Sequence, residues 1–142
     1  MTKDYGVQLR RLEDGSLQPN EFSHLDHVGV AYQALTQHEF FEAVRIVADG
    51  IRGMAARANA PEKFNATITL AFMSLIAERM KTTCHQDADD FIRRNTDLVD
   101  RFSLSRWYSR ERLTSELACS IALLPDAALP AALPSLSPEA TR

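Results

Sequence analysis

The feature that most constrains the fold is the helical periodicity of residues 61–83, the most apolar stretch of the chain. Apolar side chains recur there at spacings of three and four residues, and the set comprises Phe64, Ile68, Leu70, Ala71, Phe72, Met73, Leu75 and Ile76. A helix that is apolar around most of its circumference belongs at the centre of a bundle. The spacing therefore predicts a central helix over 61–83, with Pro61 in its first turn.

Two further stretches, 22–38 and 39–58, carry the same periodicity and predict helices. Shorter helices are predicted over 87–94, 110–113 and 116–124, because Asp87, Ser109 and Ser115 stand where N-cap residues belong. No stretch alternates β-branched and polar residues between turn dipeptides, so the sequence predicts no strands. The predicted fold is all-α: a single helical bundle of three longer helices plus two or three short C-terminal helices.

The two ends of the chain differ in composition from the helical domain, which we place at residues 21–124. Residues 1–20 are polar and contain Gly6, Gly15 and Pro19, which predicts an irregular N-terminal arm. Residues 125–142 hold four of the six prolines, spaced by Ala, Leu and Ser. This spacing predicts a disordered tail, or a Pro-rich segment that docks into an aromatic groove of a partner.

Charge and cysteine content exclude several classes of protein. The net charge of −3 argues against a broadly basic nucleic-acid binder. The aromatic and basic residues of 106–110 could stack on bases, but the surrounding acidic residues favour a Trp107 that packs onto the bundle. Two cysteines are too few for a disulfide framework, and no apolar run reaches the roughly 20 residues of a membrane span. We expect a cytoplasmic protein that binds neither nucleic acid nor membrane; the oligomeric state stays open.

His24 and His27 form the first candidate site, because a spacing of three residues places both imidazoles on one helix face. That face is also the apolar stripe, so both rings should point inward. Three interpretations are open: a structural polar network, a ligand-binding or catalytic pocket, and a metal site. A metal would need further donors from other segments, for which the candidates are Asp26, Glu78 and His85.

Polar residues of the central helix form the second candidate site. Asn65 and Thr69 lie on one stripe of that helix, and Thr67, Ser74 and Glu78 lie on another. One interpretation makes these residues a solvated face with threonine hydroxyls bonded to the preceding helical turn. The other directs Asn65 and Thr69 across a pocket towards the two histidines.

The motifs of the chain resemble those of a group of small uncharacterised bacterial all-helical proteins. The matching segments are Phe22-x-His24-x-x-His27, Phe64–Asn65–Ala66–Thr67–Ile68–Thr69, Trp107–Tyr108–Ser109 and Leu124–Pro125–Asp126. The resemblance implies that His24, His27, Thr67 and Thr69 occupy the polar positions of that group. The group has Tyr-His where this chain has Phe64–Asn65, and the missing imidazole argues against a three-histidine metal site.

Two functional hypotheses follow from these patterns. The first is a small-ligand pocket inside the bundle, with an enzyme of an unidentified biosynthetic or modifying step as one form of it. Its candidate catalytic residues are His24 and His27, its candidate ligand-binding residues are Tyr32, Asn65, Thr67 and Thr69, and any metal would involve His24, His27 and Glu78. The alternative is a non-enzymatic protein-interaction module that uses an apolar helix face or the C-terminal tail. No motif identifies a cofactor.

Overall fold

Seven α-helices form the frame of the structure, a computed structural model that describes residues 3–100 and 102–127. They are α1 (Tyr5–Asp14), α2 (His24–Gln37), α3 (Phe40–Arg57), α4 (Ala66–Thr82), α5 (Ala88–Arg94), α6 (Arg110–Leu113) and α7 (Glu116–Ser120). Short 3-10 turns occur at Pro19–Glu21, Pro61–Lys63, Thr96–Val99 and Ser103–Arg106. The described residues contain no strand, and the all-α prediction is confirmed: α2, α3 and α4 are the three longer helices, and three short helices follow.

The centre of the bundle is α2, which packs against α1, α3, α4 and α5. Its buried residues are Asp26, Val28, Gly29, Val30, Ala31, Tyr32 and Ala34, and the small ones among them let neighbouring helices approach on several sides. The helix predicted over 61–83 is present as α4, but its predicted central position is wrong, because α4 buries Thr67, Phe72, Met73 and Ile76 and leaves most of its surface partly accessible. None of the helices in the described part of the chain has the length and continuous apolar surface that crossing a bilayer needs.

The predicted irregular arm over 1–20 is wrong for most of its length, because residues 5–14 form α1. Tyr5, Leu9 and Leu12, spaced by four and three residues, are all buried against the bundle. Asp4 accepts a hydrogen bond from the amide of Val7 and caps the N-terminus. Gly15 ends the helix with a left-handed φ of 83°, a conformation that glycine adopts without steric penalty.

Two other boundaries differ from the predicted ones. The segment 61–65 is not α-helical: residues 61–63 form a 3-10 turn, Phe64 and Asn65 are extended, and the Asn65 side chain caps α4 by accepting from the amide of Ile68. The helix predicted over 116–124 ends at Ser120. Of the predicted tail, residues 125–127 are described, and they make contacts: the amide of Ala127 donates to the carbonyl of Trp107. The prediction for 128–142 lies outside the described residues.

Candidate functional site

A cavity of about 160 Å³ lies between α2, α3 and α4. Its polar lining consists of His27, Lys63, Asn65 and Thr69, and its apolar lining of Ala31, Val47, Ile51, Ile68, Phe72, Met73 and Ile76. The structure thus places one of the two candidate histidines opposite Asn65 and Thr69. Sequence reasoning missed Lys63, because this residue belongs to a 3-10 turn where α-helical periodicity does not apply.

The imidazole of His27 is held in a neutral state by its surroundings. Its ring stacks on Phe22 with centroids 4.1 Å apart, and the ring of His24 lies at 6.2 Å. Burial lowers the pKa of His27 to about 4, and the neighbouring His24 adds to this effect while Asp26 opposes it. At neutral pH the ring therefore offers one N–H donor and one lone pair as acceptor.

His24 lies beside His27 but is not among the cavity-lining residues. Its ring contacts Phe72, with centroids 5.2 Å apart. Burial lowers the pKa of His24, although a hydrogen bond to the backbone of Leu98 and the charge of Asp100 oppose the shift. Its Nε2 atom is buried without a hydrogen-bond partner, an arrangement that is uncommon in folded proteins.

Asn65 lines the cavity, but its side chain is engaged in hydrogen bonds that hold the fold together. Its Oδ1 accepts from the amide of Ile68 at 2.8 Å, and its Nδ2 donates to the carbonyl of Leu113 at 2.7 Å. The side chain therefore caps α4 and holds α6 against it. Thr69, one turn further along the chain, also lines the cavity and has no such structural bond, so it is the residue better suited to a ligand.

Thr67 lies on a different face of α4 from this cavity and secures the C-terminal segment. The buried hydroxyl donates to the carbonyl of Ile121 at 2.7 Å and accepts from the amide of Leu123 at 2.9 Å. Both hydrogen-bonding functions of the side chain are thereby used in the fold. The structure does not bring Thr67 together with the histidines.

Replacing Thr67 by valine, which has the same shape, should lower the free energy of unfolding by about 1–3 kcal/mol, since two backbone groups lose their partner. Amide exchange at Leu123 should become faster. Thr82→Val is the matched control, because its hydroxyl bonds the carbonyl of Glu78 on the exposed surface of the same helix. Chemical denaturation of both variants tests this role, and equal losses would contradict it.

Tyr32 belongs to a separate cluster with His85 and Phe91. The carbonyl of Met80 can only accept, so the His85 Nε2 atom, 3.1 Å away, donates to it. The other ring nitrogen, Nδ1, lies 2.9 Å from the Tyr32 hydroxyl, within hydrogen-bond distance. This chain of hydrogen bonds joins α2 to the segment before α5, and neither residue lines the cavity.

The candidate metal donors are dispersed. Glu78 lines a second cavity on another face of α4, and Asp26 is fully buried in an ion pair with Lys3 at 2.8 Å. Burial acts to raise the pKa of Asp26, but the Lys3 ammonium and the Ser23 amide outweigh it and hold the pKa below its usual value. Within the described ranges, no three His, Cys, Asp or Glu side chains are grouped as metal ligands would be.

The arrangement is thus a small, mostly apolar cavity with a neutral imidazole and a hydroxyl in its wall. Such a site can enclose a small molecule and fix the orientation of one polar group. No protein-family model, curated protein or solved structure matches this chain.

Proposed function

We propose that this protein binds a small, mostly apolar molecule in the cavity between α2, α3 and α4. The observation that carries the proposal is the cavity itself, in which His27 and Thr69 supply hydrogen-bonding groups within an apolar wall. A dry apolar cavity of about 150 Å³ accommodates a benzene-sized molecule. The volume of about 160 Å³ therefore suits a single ring with one polar substituent.

The polar substituent is expected to be uncharged. His27 is neutral at physiological pH and offers a hydrogen bond rather than a charge, and seven apolar residues make up the rest of the lining besides Lys63, Asn65 and Thr69. An ionised group without a buried counter-ion would lose its hydration with little compensation. Lys63 is exposed, so its ammonium remains hydrated at the edge of the cavity.

The proposal assigns His27 to binding rather than to proton transfer. An efficient general base has a pKa close to the working pH, and the pKa of about 4 lies far below that range. Its imidazole would accept a hydrogen bond from the ligand, and the Thr69 hydroxyl would complete the contact. Catalysis by His24 and His27 is therefore not part of the proposed function.

A thermal-shift titration with phenol, toluene and benzoate tests the proposal. Phenol should raise Tm most, because it fits the cavity and donates to His27, while toluene lacks the polar group and benzoate carries a charge. A ligand at a hundred times its Kd stabilises the native state by about 2.7 kcal/mol. Ala31→Leu, which fills the cavity, should abolish the response, and Thr69→Val should weaken it.

Thr82→Val is again the control, since its side chain lies on the exposed end of α4 and should leave the phenol response unchanged. An equal response to phenol in the wild type and in Ala31→Leu would place the ligand elsewhere and contradict the proposal. If none of the three compounds changes Tm, the result favours the alternative, a protein-interaction module. That alternative draws support from the exposed side chains of Leu117, Ile121 and Leu124.

A further inference from the structure

A second cavity, of about 400 Å³, lies between α4 and the C-terminal segment and shares no residue with the first. Its volume falls within the range of roughly 300–1,000 Å³ that is typical of small-molecule sites. Apolar side chains form most of the wall: Leu70, Ala71, Leu75, Leu104, Ala122, Leu123, Leu124 and Pro125, with the rings of Trp107 and Tyr108.

Most polar groups in this second cavity are already used by the fold. The Tyr108 hydroxyl donates to the carbonyl of Leu123 at 2.9 Å, and the Thr67 hydroxyl is bonded to the same segment. The polar side-chain groups that remain are the indole N–H of Trp107 and the side chains of Ser74 and Glu78, which lie one turn apart on the same face of α4. Among the residues that the structure describes, Glu78 is the only one with a charged side chain in this lining.

We propose that this second cavity binds an amphiphilic amine, with the apolar or aromatic body against Trp107 and Leu75 and the ammonium at Glu78. The charge of the lining indicates a cationic ligand, because a single carboxylate at the edge of an apolar wall attracts a cation and repels an anion. The Ser74 hydroxyl can accept a further hydrogen bond from the ammonium.

Three guanidiniums lie near this arrangement, and none of them lines the cavity. Arg79, next to Glu78 in the chain, pairs with Asp97 at 2.7 Å, and Arg112 donates to the carbonyl of Leu124 at 2.6 Å. The guanidinium carbon of Arg106 lies 5.4 Å from the centroid of the Trp107 ring, in cation–π contact. Each guanidinium is engaged with another group, so the carboxylate of Glu78 supplies the charge that faces the ligand.

Trp107 is the only tryptophan of the chain and lies in the wall of this cavity, so its fluorescence reports binding directly. The probes are 4-phenylbutylamine, 4-phenylbutanol and 4-phenylbutyrate, which share one apolar body and differ in the charge of the head group. The amine should change the emission saturably and bind about three- to fivefold more tightly than the alcohol, the range that an exposed ion pair supports. The acid should bind most weakly.

Two variants of lining residues, Glu78→Gln and Ala71→Leu, locate the site, and two variants elsewhere are controls. Glu78→Gln should reduce the affinity for the amine to that for the alcohol. Glu13→Gln, which changes an exposed glutamate on α1, should leave the preference for the amine unchanged. Ala71→Leu, which narrows the cavity, should weaken the binding of all three probes. Far-ultraviolet circular dichroism of this variant checks that the helices are retained. His27→Gln should not alter these titrations, since His27 lines only the first cavity, and this separates the present proposal from the proposed function.

The proposal fails if none of the three probes produces a saturable change in Trp107 emission. It also fails if the amine and the acid bind equally, or if Glu78→Gln keeps the preference for the amine. Loss of that preference in Glu78→Gln alone, with the alcohol unaffected, supports both the place of the site and the charge of its ligand.

Discussion

Replacing Gly29 by alanine is expected to lower the free energy of unfolding by about 2 kcal/mol, although alanine is the better helix former by about 1 kcal/mol. Gly29 lies in the middle of α2, and the ring of Tyr5 from α1 occupies the space that a Cβ atom would fill. That Cβ would lie 2.3 Å from Cε1 and 2.4 Å from Cδ1 of Tyr5.

The ring of Tyr5 cannot move aside easily. It is 5% exposed, and with Leu9 and Leu12 it forms the face by which α1 packs on α2 and α3. Gly50 of α3 has the same role towards Leu12, whose Cγ would lie 2.4 Å from an added Cβ. Each added methyl group therefore displaces a whole helix rather than the end of a flexible side chain. The free energy lost to such overpacking exceeds the free energy gained from the better helix propensity of alanine.

Gly53→Ala is the matched control on α3. The only atom near its added Cβ is the Nη1 of Arg57 at 3.1 Å, the far end of a flexible side chain. This variant should gain about 0.5–1 kcal/mol, because helix propensity then acts alone. Urea denaturation of Gly29→Ala and Gly53→Ala gives the comparison; stabilisation of both would show that α1 does not pack on Gly29 as described.

The sequence predicted α2 but not α1, because the two apolar patterns differ in length. The pattern over 22–38 is long enough for its period to be recognised, and Ser23, just inside it, caps the helix by accepting from the amide of Asp26. In α1 only Tyr5, Leu9 and Leu12 are buried, among polar neighbours and next to two glycines. A pattern of three residues is too short to distinguish a helix from an irregular segment without its packing partner.

The candidate site was predictable to a similar extent. Spacing alone predicts Asn65 and Thr69 on one stripe of the central helix; in the structure Asn65 is the N-cap of α4, and both residues line the cavity with His27. The roles of Thr67 and Asn65 depend on the carbonyls of Ile121 and Leu113, which lie about fifty residues further along the chain. No local periodicity reports such a contact, because its geometry is set by how the C-terminal segment crosses α4.

Lowering the pH from about 6.5 to 4 is expected to remove on the order of 3 kcal/mol of stability through His27. In the unfolded chain this histidine has its ordinary pKa of 6.5, whereas burial lowers its pKa in the native state to about 4. The unfolded chain therefore binds the proton more readily throughout this interval, and the native state is destabilised as pH falls. Below about pH 4 both states are protonated, and the contribution of His27 is constant.

Most of this pH interval lies above the range in which the carboxyl groups lose their stabilising contacts. The ion pairs and hydrogen bonds of Asp26, Asp90 and Asp97 hold their pKa values below the ordinary 3.8, so these groups lose stabilising contacts only under more acidic conditions. His24 acts in the same direction as His27, because burial lowers its pKa as well. Glu21 and Glu42, whose pKa values are held below the ordinary 4.5, begin to lose their contacts as pH falls towards that value. A loss of stability between about pH 6.5 and 5 is therefore assigned to the histidine pair.

His27→Gln removes the titrating group and should flatten most of this pH dependence, while the loss of the ring stacked on Phe22 lowers stability at neutral pH. Thr82→Val, which removes no titrating group, is the control and should keep the wild-type slope. Denaturation midpoints measured at about pH 7.5, 5.5 and 4.5 give the slopes, and imidazole NMR gives the pKa values. Parallel curves for the wild type and His27→Gln would mean that His27 titrates as an exposed residue, and the buried imidazole on which the proposed ligand site depends would then be absent.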